Sequence, residues 1–135
     1  MLEILKHSCN HSENISLKYL RLIQNYVFVD FEHVGCWEDR KSRAVPILER
    51  SDDRLRDTYW NRKAAIEKCY VVARENGLRI FSIQNGGQCF GSADRNVYKK
   101  YGRSTKCKNM KGGDWANDVY TILNAGVFFF RYVFS

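Results

Sequence analysis

Hydrophobic and polar residues alternate between Tyr26 and Trp37, which is the repeat of a β-strand. One set of positions holds Val27, Val29, Phe31 and His33, and the other holds Phe28, Asp30 and Glu32. Because neighbouring side chains of a strand point to opposite faces of a sheet, this pattern predicts a strand anchored at its end by Cys36. Residues 1–25 are read as a polar N-terminal extension.

A charged stretch follows in residues 38–60 and contains the only proline of the chain, Pro46. Charge and proline together favour a long surface connection over a packed element.

The next segment has the spacing of an amphipathic helix. Residues at intervals of three and four fall on one face, at Ile66, Cys69, Tyr70 and Ala73. Cys69 is therefore predicted to point at the core. Asn61 is predicted to cap this helix, and Asn76-Gly77 to end it, since glycine readily adopts the left-handed conformation of a helix C-terminus.

Further strands are predicted after the helix, at Leu78 to Gln84, from Gln88 to Phe90, and at Val119 to Leu123. Asn85-Gly86-Gly87 offers the positive φ angles that a tight hairpin turn requires. A strand, a helix, a hairpin and a closing strand predict an α+β fold, with one main helix packed on a small antiparallel sheet.

The chain has five cysteines and no Cys-x-x-Cys pair, which disfavours zinc-ribbon and thioredoxin-type sites. A helix followed directly by a hairpin can place Cys69 opposite Cys89, and Cys36 and Cys107 are then left to pair. Cytosolic thiols usually stay reduced, whereas small secreted domains use such pairs as staples. We therefore expect a disulfide-stapled domain that is extracellular or at the cell surface.

The length of 135 residues suits one domain, and the net charge is +7. The positive charge is concentrated at Lys99, Lys100, Arg103, Lys106, Lys108 and Lys111, with no acidic residue between them. Such a cluster attracts anionic partners such as sulfated or uronic-acid glycans. The alternative is a solvated basic face that serves solubility.

The termini carry weaker signals. Asn10 and Asn14 begin two glycosylation sequons, which would be used if the chain is secreted. The alternating His7, Cys9 and His11 could converge on a metal only in an extended segment, and we predict no metal site. Met1–Lys6 lacks the features of a signal peptide, which counts against secretion; the alternative is that the chain is a fragment, or an imperfect gene model, of a longer protein whose signal lies upstream. The apolar C-terminal tail, residues 124–135, is too short to span a bilayer.

Short motifs between residues 33 and 122 form a recognisable set. They are Gly35-Cys36-Trp37-Glu38-Asp39, Arg43-Ala44-Val45, Cys69 with Ala73 and Gly77, Gly87-Gln88-Cys89-Phe90, Cys107, Gly112-Gly113 and Val119-Tyr120. Together they resemble the WSC module, in an invertebrate variant with four cysteines instead of the usual eight. The resemblance implies a PAN/apple-like fold for residues 26–123, an extracellular setting and glycan binding.

The sequence shows no catalytic constellation of recognisable spacing, so we predict a binding module without a cofactor and not an enzyme. Aromatic side chains suit stacking on a sugar ring, and planar polar side chains suit hydrogen bonding to it. The predicted ligand-binding residues are Gln84, Tyr98, Tyr101, Arg103, Lys106, Trp115 and Asn117. The alternative for Trp115 and one of the tyrosines is a place in the core.

The predicted partner is a glycan, and an anionic one would suit the basic cluster. An extracellular protein with an acidic surface is the alternative, which would make the chain an interaction domain of a receptor or adhesion protein. A cationic nucleic-acid-binding or membrane-disrupting protein is a third and weaker reading, whose affinity would fall steeply with salt.

Overall fold

The computed structural model of the chain describes residues 30–123. Its helix and strands are β1 (Phe31–Glu38), α1 (Ala65–Glu75), β2 (Ile80–Gln84), β3 (Gln88–Ser92) and β4 (Ala116–Ile122). Short 3₁₀ turns occur at Asp53–Leu55, Tyr59–Asn61 and Val97–Tyr101. The strands form one antiparallel sheet in the order β1-β4-β2-β3. The predicted α+β class, a helix on a small antiparallel sheet, is confirmed.

The helix begins later than its sequence signal indicated. Asn61 does not cap α1, because it ends a 3₁₀ turn, and the residue before the helix is Ala64 with a φ of 50°. The helix ends as predicted, because Gly77 has a φ of 70°. The side-chain amide of Asn76 donates from Nδ2 to the carbonyl of Val72 at 2.8 Å. Cys69 is fully buried on the core face.

The predicted hairpin is present between β2 and β3. Asn85 and Gly86 have φ angles of 48° and 85°, and the backbone N–H of Gly87 donates to the carbonyl of Gln84 at 3.0 Å. The predicted first strand is also present as β1, whereas residues 26–29 of that prediction lie outside the described residues.

The prediction of a surface connection for residues 38–60 is wrong. Ala44, Val45 and Leu55 are fully buried. The N–H of Leu48 donates to the carbonyl of Cys89 at 2.9 Å, so this segment also runs along the free edge of β3. The buried apolar residues of this segment stand among charged residues, in stretches too short to show the repeat of a helix or a strand.

The sheet has a core on each face. On the helix side, α1 packs on the rings of Phe81 and Tyr120, which stack with their centroids 4.8 Å apart. On the other side, Val45 and Phe90 pack with Tyr98 under loops that precede α1 and β4. The sheet is therefore the middle of three layers, and loops form the third.

Two disulfides join these layers, and they are the predicted pairs. Cys69–Cys89 ties α1 to β3, and Cys36–Cys107 ties β1 to the loop before β4. The loops they close, of 20 and 71 residues, correspond to about 3 and about 4 kcal/mol in the chain-entropy estimate. Two disulfides in a domain of this size suit an oxidising, extracellular-type environment.

Candidate ligand-binding site

A cleft of about 330 Å³ opens at the end of the sheet where β1 stops and β4 starts. Its walls are formed by Glu38, Asp39, Arg103, Ser104, Thr105, Lys106 and Trp115. It is called the Trp115 cleft below. Three of the residues predicted to bind ligand, Arg103, Lys106 and Trp115, meet in it.

Trp115 is partly exposed to solvent and has a left-handed backbone conformation. Its φ is 54°, and its side chain is 42% exposed just before β4 begins. The guanidinium of Arg43 lies over the indole, 4.5 Å from the ring centre. The carbonyl of Trp115 accepts from the N–H of Asp39 at 2.9 Å. The indole is thus held in place while much of it stays accessible, and the core alternative for Trp115 is not what the structure shows.

The buried carboxylate of Asp39 organises the floor of the cleft. One oxygen accepts from the N–H of Ala44 at 2.8 Å. The other accepts from Arg43 Nη1 at 2.7 Å and from Gln84 Nε2 at 2.5 Å. Because Arg43 also covers the ring of Trp115, Asp39 fixes the indole through that guanidinium. Asp39 and Arg43 were not predicted as site residues, because they lie in an irregular segment where no local repeat shows that their side chains meet.

Gln84 and Asn117, predicted to contact ligand, are buried behind the cleft. Gln84 Nε2 donates to Asn117 Oδ1 at 3.0 Å, and Ser82 Oγ contacts the same oxygen at 3.0 Å. Asn117 Nδ2 is also buried and has no hydrogen-bond partner among residues 30–123. Because both side chains are buried, neither lines the Trp115 cleft, and Gln84 instead supports the carboxylate of Asp39.

Arg103 and Lys106 lie on a loop that is fastened to β1. The N–H of Ser104 donates to the carbonyl of Cys36 at 3.1 Å, and the disulfide at Cys107 follows three residues later. The guanidinium of Arg103 lies 4.7 Å from the ring centre of Trp37. These contacts hold the cations of the loop at the rim of the cleft.

The two tyrosines have different roles. Tyr98 is only 8% exposed and packs edge-on against Trp37, with ring centres 4.8 Å apart, so it belongs to the core. Tyr101 lies nearer the surface, where its hydroxyl donates to the carbonyl of Ser42. Arg40 and Lys100 flank its ring at 4.7 and 5.1 Å from the centre. Neither tyrosine lines the Trp115 cleft.

The electrostatics of the cleft favour an anion. Neither Arg103 nor Lys106 forms an ion pair with a carboxylate of residues 30–123. The acidic residue at the rim, Glu38, accepts from Arg40 Nε at 2.8 Å, and this hydrogen bond raises the pKa of the Arg40 guanidinium. Two cations beside an accessible indole therefore remain available to a ligand.

A second cleft, of about 310 Å³, lies beside the hairpin and was not predicted. Its lining is Glu49, Arg50, Arg56, Asp57, Thr58, Tyr59, Trp60 and Gln88. It is called the Trp60 cleft below. Trp60 is 60% exposed, and the ring of Tyr59 lies against it with centres 4.7 Å apart.

Arg62 forms the support of the Trp60 cleft. Its side chain is fully buried and bonds to Glu49 at 2.6 Å, to Asp57 at 2.8 Å and to the carbonyl of Gly87 at 2.8 Å. The hydrogen bond from Arg62 lowers the pKa of Asp57. A single buried guanidinium thus joins the segment before α1 to the hairpin.

Within residues 30–123, no three His, Cys, Asp or Glu side chains are grouped closely enough to hold a metal ion. His7, Cys9, His11 and the sequon residues Asn10 and Asn14 lie outside the described residues. Among the described helices, none has the length and apolarity needed to cross a membrane. No model of a known protein family matches the chain, and no curated protein is significantly similar to it.

Proposed function

We propose that this chain is an extracellular recognition module that binds an acidic carbohydrate in the Trp115 cleft. The observation that carries the proposal is the combination of an accessible, immobilised indole with two cations that have no carboxylate partner among residues 30–123. A flat aromatic face suits the apolar face of a pyranose, and the cations suit its carboxylate or sulfate groups.

The proposed mechanism is binding without chemistry. Trp115 stacks on one sugar ring, while Arg103 and Lys106 pair with acidic groups on the same or the next ring. Asp39 and Arg43 hold the indole in its binding orientation, so little ordering is needed when the ligand arrives. Secretion or cell-surface display and membership of the WSC-like modules are parts of the same proposal, and the two disulfides support the setting.

The test is calorimetric titration with a sulfated uronic-acid oligosaccharide and with a neutral oligosaccharide of equal length. We expect the acidic ligand to bind more tightly. Trp115→Ala, and the pair Arg103→Gln with Lys106→Gln, should each weaken it about tenfold. The pair Arg79→Gln with Arg95→Gln is the matched control, because both residues are exposed at the opposite end of the sheet, beside the start of β2 and the end of β3. It also removes two charges and should leave the affinity unchanged.

Unchanged binding by the Trp115 and Arg103/Lys106 variants would contradict the proposal. Equal loss of affinity in the Arg79/Arg95 control pair would also contradict it, because the attraction would then come from net charge alone. Binding to an acidic protein with no response to sugar would favour an interaction domain instead. Equally tight binding to DNA, with a steep salt dependence, would favour a general polyanion binder.

A further inference from the structure

We propose that the Trp60 cleft is a second carbohydrate subsite, which takes a more distant part of the same acidic chain that occupies the Trp115 cleft. This inference rests on the proposed function. It assigns a ligand class to a cleft whose aromatic pair and buried arginine have no part in the first site.

The exposed indole of Trp60 is carried on a rigid turn. Tyr59–Asn61 forms a 3₁₀ turn, and the guanidinium of Arg62 bonds this region to the hairpin at Gly87. The fit is close, since a Cβ on Gly87 would lie 2.3 Å from the carbonyl oxygen of Tyr59. Single exposed apolar side chains are common on protein surfaces. A tryptophan fixed in this way, inside a cleft, is instead a preformed stacking surface.

The polar groups around Trp60 suit an acidic sugar. Glu49 and Asp57 are both bonded to Arg62, which offsets part of their charge. Arg56 pairs with Asp53 at 3.1 Å. Arg50 has no carboxylate partner in the part of the chain that the structure describes. The cleft therefore presents an aromatic face with one free guanidinium, together with the Thr58 hydroxyl and the Gln88 amide.

Both clefts lie at the same end of the sheet. Glu38 at the end of β1 pairs with Ala116 at the start of β4, and Gln84 at the end of β2 pairs with Gln88 at the start of β3. Because neighbouring strands are antiparallel, these four positions lie at the same end of the sheet. Trp115 directly precedes β4, and the turn with Trp60 packs on the hairpin between β2 and β3.

The spacing between the clefts requires an oligosaccharide. The strands β1 and β3 are three strand spacings apart, about 14 Å. The loop that carries Arg103 and Lys106 reaches the hairpin between the two clefts, because the N–H of Gly86 donates to the carbonyl of Lys111 at 3.0 Å. A polymer of several sugar units can therefore reach both indoles, whereas a disaccharide occupies only one cleft.

The test compares a disaccharide with a decasaccharide of the same sulfated uronic-acid type, followed by the indole N–H resonances of the protein. In the wild type, the decasaccharide should shift the Trp115 and Trp60 resonances with the same midpoint. Trp60→Ala should weaken decasaccharide binding about tenfold, the equivalent of one aromatic contact. It should leave the disaccharide affinity measured at Trp115 unchanged.

Leu123→Ala is the control, because Leu123 is 55% exposed at the opposite end of the sheet, and it should bind both ligands normally. Wild-type decasaccharide affinity in Trp60→Ala, together with weakened binding in Trp115→Ala, would overturn the second subsite and leave the proposed function standing. Wild-type affinity in Trp115→Ala for both ligands would overturn the proposed function itself. Thermal unfolding of each variant distinguishes lost contacts from lost folding.

Discussion

Replacing Arg62 by methionine is expected to destabilise the protein far more than any exposed charge substitution. The Arg62 side chain is fully buried, and Glu49, its closest partner at 2.6 Å, is only 10% exposed. Removal of the guanidinium would leave that carboxylate with little solvent and no counter-charge. Breaking a buried ion pair in this way costs about 3–5 kcal/mol. In a domain of this size, the loss corresponds to a fall in Tm on the order of 15–30 °C.

The assay is urea denaturation followed by circular dichroism, with the disulfides intact. Arg56→Met is the matched control, since its pair with Asp53 is exposed on both sides and should contribute about 1 kcal/mol or less. Adding Glu49→Gln to Arg62→Met should recover part of the stability, because the isolated charge is then gone. Equal destabilisation by Arg62→Met and Arg56→Met would refute this explanation. A double variant with a lower free energy of unfolding than Arg62→Met alone would also refute it.

Two further predictions concern the same region. The pKa of Asp57 is lowered in the folded state, so its pairing stabilises the fold above the unfolded aspartate pKa of about 3.9, and this stability is lost as the pH falls through the folded pKa. Asp57→Asn should flatten the decline in Tm below about pH 4, and an unchanged decline would contradict the assignment. Gly87→Ala should destabilise by more than about 2 kcal/mol in urea, because the new Cβ would meet the carbonyl oxygen of Tyr59 at 2.3 Å. Gly77→Ala, where φ is 70° and a Cβ would meet nothing within 4 Å, should cost only the positive-φ strain of about 1–2 kcal/mol, and a reversed order would refute the steric explanation.

The features that could be predicted from the sequence are those fixed by local repeats. The helical spacing around Cys69 and the turn at Asn85-Gly86 depend on nearby residues alone, and both are present. Their juxtaposition then fixed the partner of Cys69 as Cys89. Ala44 and Val45 were missed because two apolar residues in a charged stretch have no repeat to identify them.

Polar residues were the least predictable part of the site. Gln84 and Asn117 have side chains suited to a ligand, but Gln84 Nε2 donates to Asp39 and Asn117 Oδ1 accepts from Ser82, and these partners are distant in the chain. Sequence shows that a residue is polar, and only the fold shows whether its partner is the protein or a ligand. The same long-range pairing explains why the buried role of Arg62 had no local signal.

The anchoring of the loop that carries Arg103 and Lys106 has a consequence for engineering. The loop is anchored by the Ser104 backbone and by Cys107 at one end, and by the start of β4 at the other. Exposed positions between these anchors, such as Thr105 and Lys106, can be randomised without loosening the frame that presents them. The chain thereby offers a small disulfide-stapled template on which new binding specificities can be selected.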